Sequence, residues 1–306
     1  EGGCEMVAME STASYWKPLY NILETCGLKA MVVNAQHMKT VPGRKTDVKD
    51  AEWIADLLQH GLLTASYIPA KDQRELRELV RYRKSLVGER ARELNRLQKM
   101  LEGANIKISG TIRDINGKSA RNILEYLLSG KPIDSAEYDI LYEKKVIAHN
   151  LKATKEQIID DLNGVMSALQ KKMMRILLNH LDELNTHIRE LDDDIDNFMK
   201  PEEKKAAEVI QDIPGIGNTS AQAIISVIGT DMGRFPTDAH IASWAGLCPG
   251  NNKSANKRKS GKTRKGNSLL RDTLIVSAHS AVKNKSSYFH AQFKRISAHR
   301  GNKRAY

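Results

Sequence analysis

The sequence predicts an α/β domain at the amino end, a coiled coil in the middle and a mostly α-helical domain at the carboxyl end. Three observations carry that expectation. Strand and helix patterns alternate over the first 70 residues, which implies a parallel sheet covered by helices. Leu177, Leu181, Leu184, Ile188, Leu191, Ile195 and Phe198 step by four and three without a break, the a/d seam of a coiled coil. After Pro201, two helical patterns flank the turn Ile213-Pro214-Gly215-Ile216-Gly217, a helix–hairpin–helix arrangement. The expected domains are 1–101, 102–205 and 206–306.

In the first domain, residues 5–9 read as a short apolar strand. Thr12 or Ser14 can cap a helix through Ile22 and Leu23 that Gly27 ends. Residues 29–34 (KAMVVN) have a buried-strand pattern, 47–60 a helical one, and 65–68 a third strand. One long arginine-studded helix follows over 72–101 (LRELVRYRKSLVGERARELNRLQKML). Residues 103–150 alternate turns and short helices, and a longer helical stretch covers 154–199 up to Pro201. The last domain begins near Ala206.

Charge is concentrated. Between Lys253 and Arg304 stand 15 Lys and Arg against one acid, Asp272, while the chain as a whole carries +11. A basic charge gathered in one segment is the footprint of a polyanion-binding surface. The three cysteines, Cys4, Cys26 and Cys248, are scattered and unpaired in pattern, which argues against a disulfide scaffold or zinc site and fits a reducing cytoplasm. No apolar run approaches the length needed to span a bilayer, so a cytoplasmic or nucleoid-associated protein with no membrane partner is expected.

Three constellations carry chemistry. Glu10 ends the first strand on the face shared by Met6 and Ala8, at the carboxyl edge where open α/β sheets hold ligands. Asp47 and Asp50 stand three apart on a helical face that continues with Ala51, Ile54 and Leu58. Two carboxylates on a core-facing stripe call for a cation, and Mg²⁺ (or Mn²⁺) takes such hard oxygen ligands. The same spacing also suits a helix N-cap and a first-turn acid. Second, Gly215 and Gly217 between two helices expose backbone N–H groups that can hold a phosphate, although a ligand-free αα-turn has the same pattern. Third, the segment Trp244-Ala-Gly-Leu-Cys-Pro-Gly-Asn-Asn-Lys-Ser254 and its continuation to Arg271 alternates small, polar and basic residues over a long flexible loop. Lys253, Lys257, Arg258, Lys259, Lys262, Arg264, Lys265 and Arg271 would bind phosphates, and a serine among them, Ser254 or Ser260, can meet a phosphodiester.

Together, MESTASYWKPL, GRKTDVKDAEWIADLL, IPGIGNTSAQAI and WAGLCPGNNKSANKRKSGKTRKGNSLLR resemble the DEDD transposases of the insertion-sequence one-ten type, which include site-specific DNA invertases. The resemblance implies an RNase H/RuvC-like fold for the first domain and a metal-dependent nuclease acting with a serine recombinase domain. It implies DNA and an element-encoded bridge RNA as partners, and assembly of copies through the coiled coil. Glu10 matches the family's second acid, Asp47 and Asp50 its third and fourth, and Ser254, five residues after Pro249, its serine nucleophile. The first acid belongs on a strand preceding residue 1, so the RuvC-like domain reads as truncated at its amino end. A transposase, an invertase of the same superfamily and a non-catalytic nucleic-acid-binding remnant all fit these residues.

Overall fold

The structure is a computed structural model that describes residues 3–34, 47–112, 114–149, 151, 153–248, 252–254, 257–260, 263 and 266–306, with backbone alone at 47–50, 252–254 and 257–260. The chain divides into two compact units, Glu1–Lys71 and Asp72–Tyr306.

In the first unit, β1 (Met6–Glu10) and β2 (Lys29–Val33) pair in parallel, with Met9 opposite Val32 and Glu10 opposite Val33. The crossover between them is α1 (Trp16–Thr25). Its stripe of Trp16, Tyr20 and Leu23 packs on Met9 and Val32, and Trp16 meets Tyr20 edge to face at 5.7 Å. Gly27, at φ +71°, ends α1 as expected. The Leu28 and Gly27 N–H groups donate to Leu23 O and Glu24 O, closing the orphan carbonyls in a Schellman turn. The start differs from expectation. Neither Thr12 nor Ser14 caps α1; Tyr15 holds the N-cap position without a side-chain bond, because the Thr12 hydroxyl donates to Glu10 Oε1 at 2.9 Å instead.

The helix expected over 47–60 is α2 (Asp47–Gln59), and it packs against β1. The third strand is reduced to a single antiparallel bridge, Ala65 to Val33, with Ser66 N–H donating to Val32 O at 2.7 Å. The described sheet of this unit is therefore two parallel strands with one antiparallel edge contact.

Among the described residues the second unit is helical apart from one hairpin. Its frame is two long helices, α3 (Lys71–Gly103) and, later in the chain, Ala168–Phe198. Between them lie α4 (Ile108–Thr111), α5 (Lys118–Ser129), α6 (Ser135–Glu143) and α7 (Lys155–Leu162), which makes Ala168–Phe198 α8. The helical stretch expected over 154–199 is thus two helices. Thr154 with Gln157, and Ser167 with Gln170, form a capping box at the start of each.

Three polar ties fix α3 and α8 as antiparallel neighbours: Arg83 to Asp192, Arg90 Nη1 to Asn185 Oδ1 at 3.0 Å, and Glu93 to His180 at 3.8 Å. The heptad seam is consumed by this pairing. Leu184 and Ile188 pack with Leu86, while Leu181, Leu178 and Met174 join Leu97 and Leu101 in a core closed by α4–α7. Leu177 and Leu191 are only half-buried and Phe198 is exposed, because the buried stripe moves to Met174 and Leu178 where that core wraps the helix, and to Met199 at the other end. The expected pairing with a second copy through this seam is replaced by packing within the chain. Among the described residues no helix is long and apolar enough to cross a membrane.

Beyond α8 come α9 (Pro201–Gln211), α10 (Asn218–Ile228), α11 (Asp238–Trp244), the strands β3 (Asn252–Ser254) and β4 (Lys257–Ser260), α12 (Ser268–Ala281), α13 (Tyr288–Arg300) and α14 (Asn302–Ala305). Apolar α10 is buried nearly all round against Leu76, Val80, Ile195, Leu269 and Leu270. Arg77 of α3 caps its carboxyl end: Nε donates to Ser226 O at 2.9 Å and Nη2 to Val227 O.

Candidate functional site

Glu10 is the last residue of β1, half-buried, on the opposite face of the strand from buried Met9. The turn that follows contains Ala13 at φ +45°. A non-glycine residue held there stores strain of the kind found at ligand sites. On α2 Leu57 is buried and Trp53, Ile54 and Leu58 are half-buried, whereas Ala51 is exposed. The face turned inward therefore keeps Ile54 and Leu58 of the expected stripe, adds Trp53 and Leu57, and loses Ala51. Counted back at 3.6 residues per turn, Asp50 stands on that face, four before Ile54 and seven before Leu57. Asp47 stands at its edge, at the first position of the helix. Glu10 and α2 belong to the same compact unit, in which α2 packs on β1. Glu10, Asp47 and Asp50 are hard-oxygen donors of the type a divalent cation takes. Among the residues whose side chains are described, no three His, Cys, Asp or Glu come together at metal-holding distance; the Asp47 and Asp50 side chains lie outside that set.

The basic segment expected to be a long loop contains a β-hairpin. Asn252 pairs with Ser260, Lys253 with Arg258 and Ser254 with Lys257, with an irregularity between Asn252 and Lys253. Ser254 is thus the last paired residue before the tip, and Ser260 stands at the base. Cross-strand pairing with Lys257 holds the Ser254 backbone in place. Lys253 and Arg258 are register partners, and like charges directly opposite each other destabilise a hairpin unless an anion lies between. Lys259 lies on β4, whereas Lys262, Arg264 and Lys265 lie outside the described residues.

The base of the segment is pinched. A Cβ on Gly266 would lie 2.3 Å from Gly246 N and 2.5 Å from Ala245 C, so only glycine permits this approach. Gly246 itself takes φ +75°. The chain then enters α12, whose N-cap Asn267 accepts from Leu270 N–H at 3.1 Å. Arg271, in the first turn of α12, is half-buried and stands 3.8 Å from the carboxylate of its neighbour Asp272.

The two hairpin glycines part company. Gly215, at φ +91°, is pressed against α12, where a Cβ would lie 2.3 Å from Ser277 O and 2.5 Å from Ala281 N. Its role is close helix packing, which accounts for the glycine without a phosphate. Gly217 is exposed at the N-cap of α10, and a Cβ there would meet nothing within 4 Å. Only Gly217 keeps the geometry of an anion-facing helix start.

Sequence reasoning missed the division of labour along α3. Arg77, Arg83, Arg90 and Arg96 are tied to α10, Asp192, Asn185 and Glu93 respectively. The signal was there in part: arginines on the apolar side of a helical wheel snorkel toward partners in the fold.

Known proteins resemble the chain at both ends. Residues 1–106 match the DEDD_Tnp_IS110 transposase family model, and residues 207–294 match the transposase family IS116/IS110/IS902. The insertion element IS110 uncharacterized 43.6 kDa protein of Streptomyces coelicolor is 24% identical over 302 residues, covering 92% of this chain and 72% of the relative. The insertion element IS116 uncharacterized 44.8 kDa protein of Streptomyces clavuligerus is 25% identical over 257 residues, covering 72% of this chain and 60% of the relative. The first match carries Glu10, Asp47 and Asp50, the second the glycine hairpin, Ser254 and α12. The chain belongs to the IS110-type DEDD transposases.

Proposed function

We propose that the chain cuts and rejoins DNA strands at the ends of an insertion element, with Glu10, Asp47 and Asp50 holding a divalent metal and Ser254 acting as nucleophile. The observation that carries this reading is the register of Asp50. Counted along the helix, it falls on the same face as Ile54 and Leu57 of α2, the helix that packs on the strand ending in Glu10. A carboxylate at such a position is costly without a cation partner. A DEDD transposase family implies divalent-metal dependence, and Mg²⁺ or Mn²⁺ suits three carboxylates; the metal, when bound, polarises a phosphodiester oxygen and neutralises charge.

The serine hairpin would act as follows. The Ser254 oxygen forms a bond to phosphorus as one strand's bridging P–O bond breaks; the hydroxyl proton leaves the serine and the departing strand oxygen takes one up. Lys253, Lys257, Arg258 and Lys259 on the two hairpin strands supply positive charge against the developing charge on phosphate, with Lys262, Arg264, Lys265 and Arg271 extending it. Gly217 would hold backbone phosphate at the start of α10. By its family likeness we take DNA to be guided by an element-encoded bridge RNA, in the cytoplasm, with two copies of the protein holding two DNA segments.

In the full-length protein, Asp50→Asn should abolish strand transfer while leaving DNA affinity within about twofold, since the salt-dependent affinity comes from Lys and Arg and the substitution removes none of them. Wild-type strand transfer by Asp50→Asn would reduce Asp47 and Asp50 to helix-start acids.

A further inference from the structure

Once the four structural arginines of α3 are set aside, a second set of cations remains on one face. Arg81, Lys84, Ser85, Gly88 and Arg92 lie at helical spacings of three, four, seven and eleven, so they share a single stripe. With Ser268 at the start of α12 they line an open groove of about 390 Å³. Among the described residues its lining holds no carboxylate. Arg81 and Arg92 are exposed and have no ion pair among the described residues. Lys84 reaches Asp272 at 2.9 Å, an exposed pair that contributes little and exchanges easily for another anion.

Gly88 is the independent clue. A glycine in a helix interior costs about 1 kcal/mol relative to alanine. The fold does not require it here, because a Cβ at Gly88 would meet only Arg92 Nη1, at an ordinary 3.7 Å. At Gly110, Gly164, Gly215 and Gly266, by contrast, a Cβ would come within 2.6 Å of neighbouring atoms. What glycine does at position 88 is keep the groove floor flat between two arginines, so that another backbone can approach the helix closely.

We propose that this groove binds the phosphodiester backbone of a single nucleic-acid strand and leads it to the base of the serine hairpin. The site rests on the transposase reading but is separate from the hairpin's own basic residues. Guanidinium groups at its two ends suit bidentate contacts to phosphate oxygens. Eleven residues of α-helix span about 16 Å, which corresponds to about five nucleotides of one strand at the 3.4 Å spacing of a duplex. Ser85 and Ser268 offer hydroxyl donors between the arginines. The far wall is the first turn of α12, the helix into which the hairpin returns through Gly266 and Asn267, so a strand leaving the groove on that side arrives at the hairpin base.

The test is fluorescence anisotropy of a labelled 20-nucleotide single strand, as DNA and as RNA, with the full chain. The double variant Arg81→Gln/Arg92→Gln should bind at least tenfold more weakly at physiological salt. Its log–log salt slope should be shallower by about 1.4, two contacts at about 0.7 each for single strands. Gly88→Leu keeps every charge and improves helix propensity; it should weaken binding with an unchanged or raised melting temperature, which a merely structural role would not produce. The strand type whose binding falls identifies the occupant as DNA or RNA. Lys257→Gln/Arg258→Gln serves as the hairpin control. If that control weakens binding while both groove variants bind like wild type, the groove is overturned and the transposase reading stands. If the wild-type chain binds neither strand, both fail together.

Discussion

Gly246 and Gly266 meet backbone to backbone, 20 residues apart in sequence, and so tie off the segment that carries Ser254. A hairpin carrying a nucleophile, as proposed for Ser254, needs this kind of anchor, here buried Ala245 on one side and α12 on the other.

Gly266→Ala should therefore loosen the base of the hairpin. The added methyl has backbone atoms in its way, not the end of a flexible side chain, so the expected cost is about 1–3 kcal/mol. Trp244, whose ring centroid lies 5.6 Å from that of Phe235, sits two residues before Gly246. Its fluorescence should report the change at a lower temperature than in the wild type. An unaltered transition would show that the pinch is not structural.

The α8 seam should behave as intrachain packing. Leu184→Ala, which removes side-chain packing against Leu86 and Ile188, should cost about 2–5 kcal/mol. The melting temperature should not depend on protein concentration. A midpoint that rises with concentration would instead place the seam between copies.

Tyr126 gives a pH signature of the helical core. Burial, then its 2.7 Å hydrogen bond to Glu137, pushes the phenol up to about 12. The folded chain therefore keeps a proton that the unfolded chain releases near pH 10, so this contribution to stability is intact below about pH 10 and is lost as pH rises toward 12. Denaturant unfolding between pH 9 and 12 should show the loss in the wild type and a flatter profile in Tyr126→Phe. Equal slopes would contradict the assignment.

Much of this architecture is legible in the sequence where apolar periodicity and glycine punctuation agree. The strand ending at Glu10, the Gly27 stop and the start of α2 at Asp47 all follow from residues within one turn of one another. The partner of the α8 seam does not, because a heptad states that Leu184 and Ile188 are buried without saying against what; Arg83 and Arg90 on α3 decide it through Asp192 and Asn185. The serine hairpin was invisible because strand signals depend on alternating apolar residues and an Asn-Gly-type turn, and Lys253–Ser260 has neither. Gly215 and Gly217 look alike in a motif, and only the 2.3 Å approach of α12 separates a packing glycine from an exposed helix start.

The central claim is that Ser254, at the hairpin tip, attacks the phosphodiester. Its most direct test is a denaturing gel of full-length protein incubated with divalent metal and end-labelled DNA spanning the joined element ends. Wild type and Ser260→Ala should both carry a covalent protein–DNA adduct, because Ser260 pairs with Asn252 at the hairpin base. Ser254→Ala should carry none while its DNA affinity stays within about twofold of wild type, since a neutral hydroxyl makes no counterion-releasing contact. An adduct that persists in Ser254→Ala, or disappears in Ser260→Ala alone, would contradict the assignment.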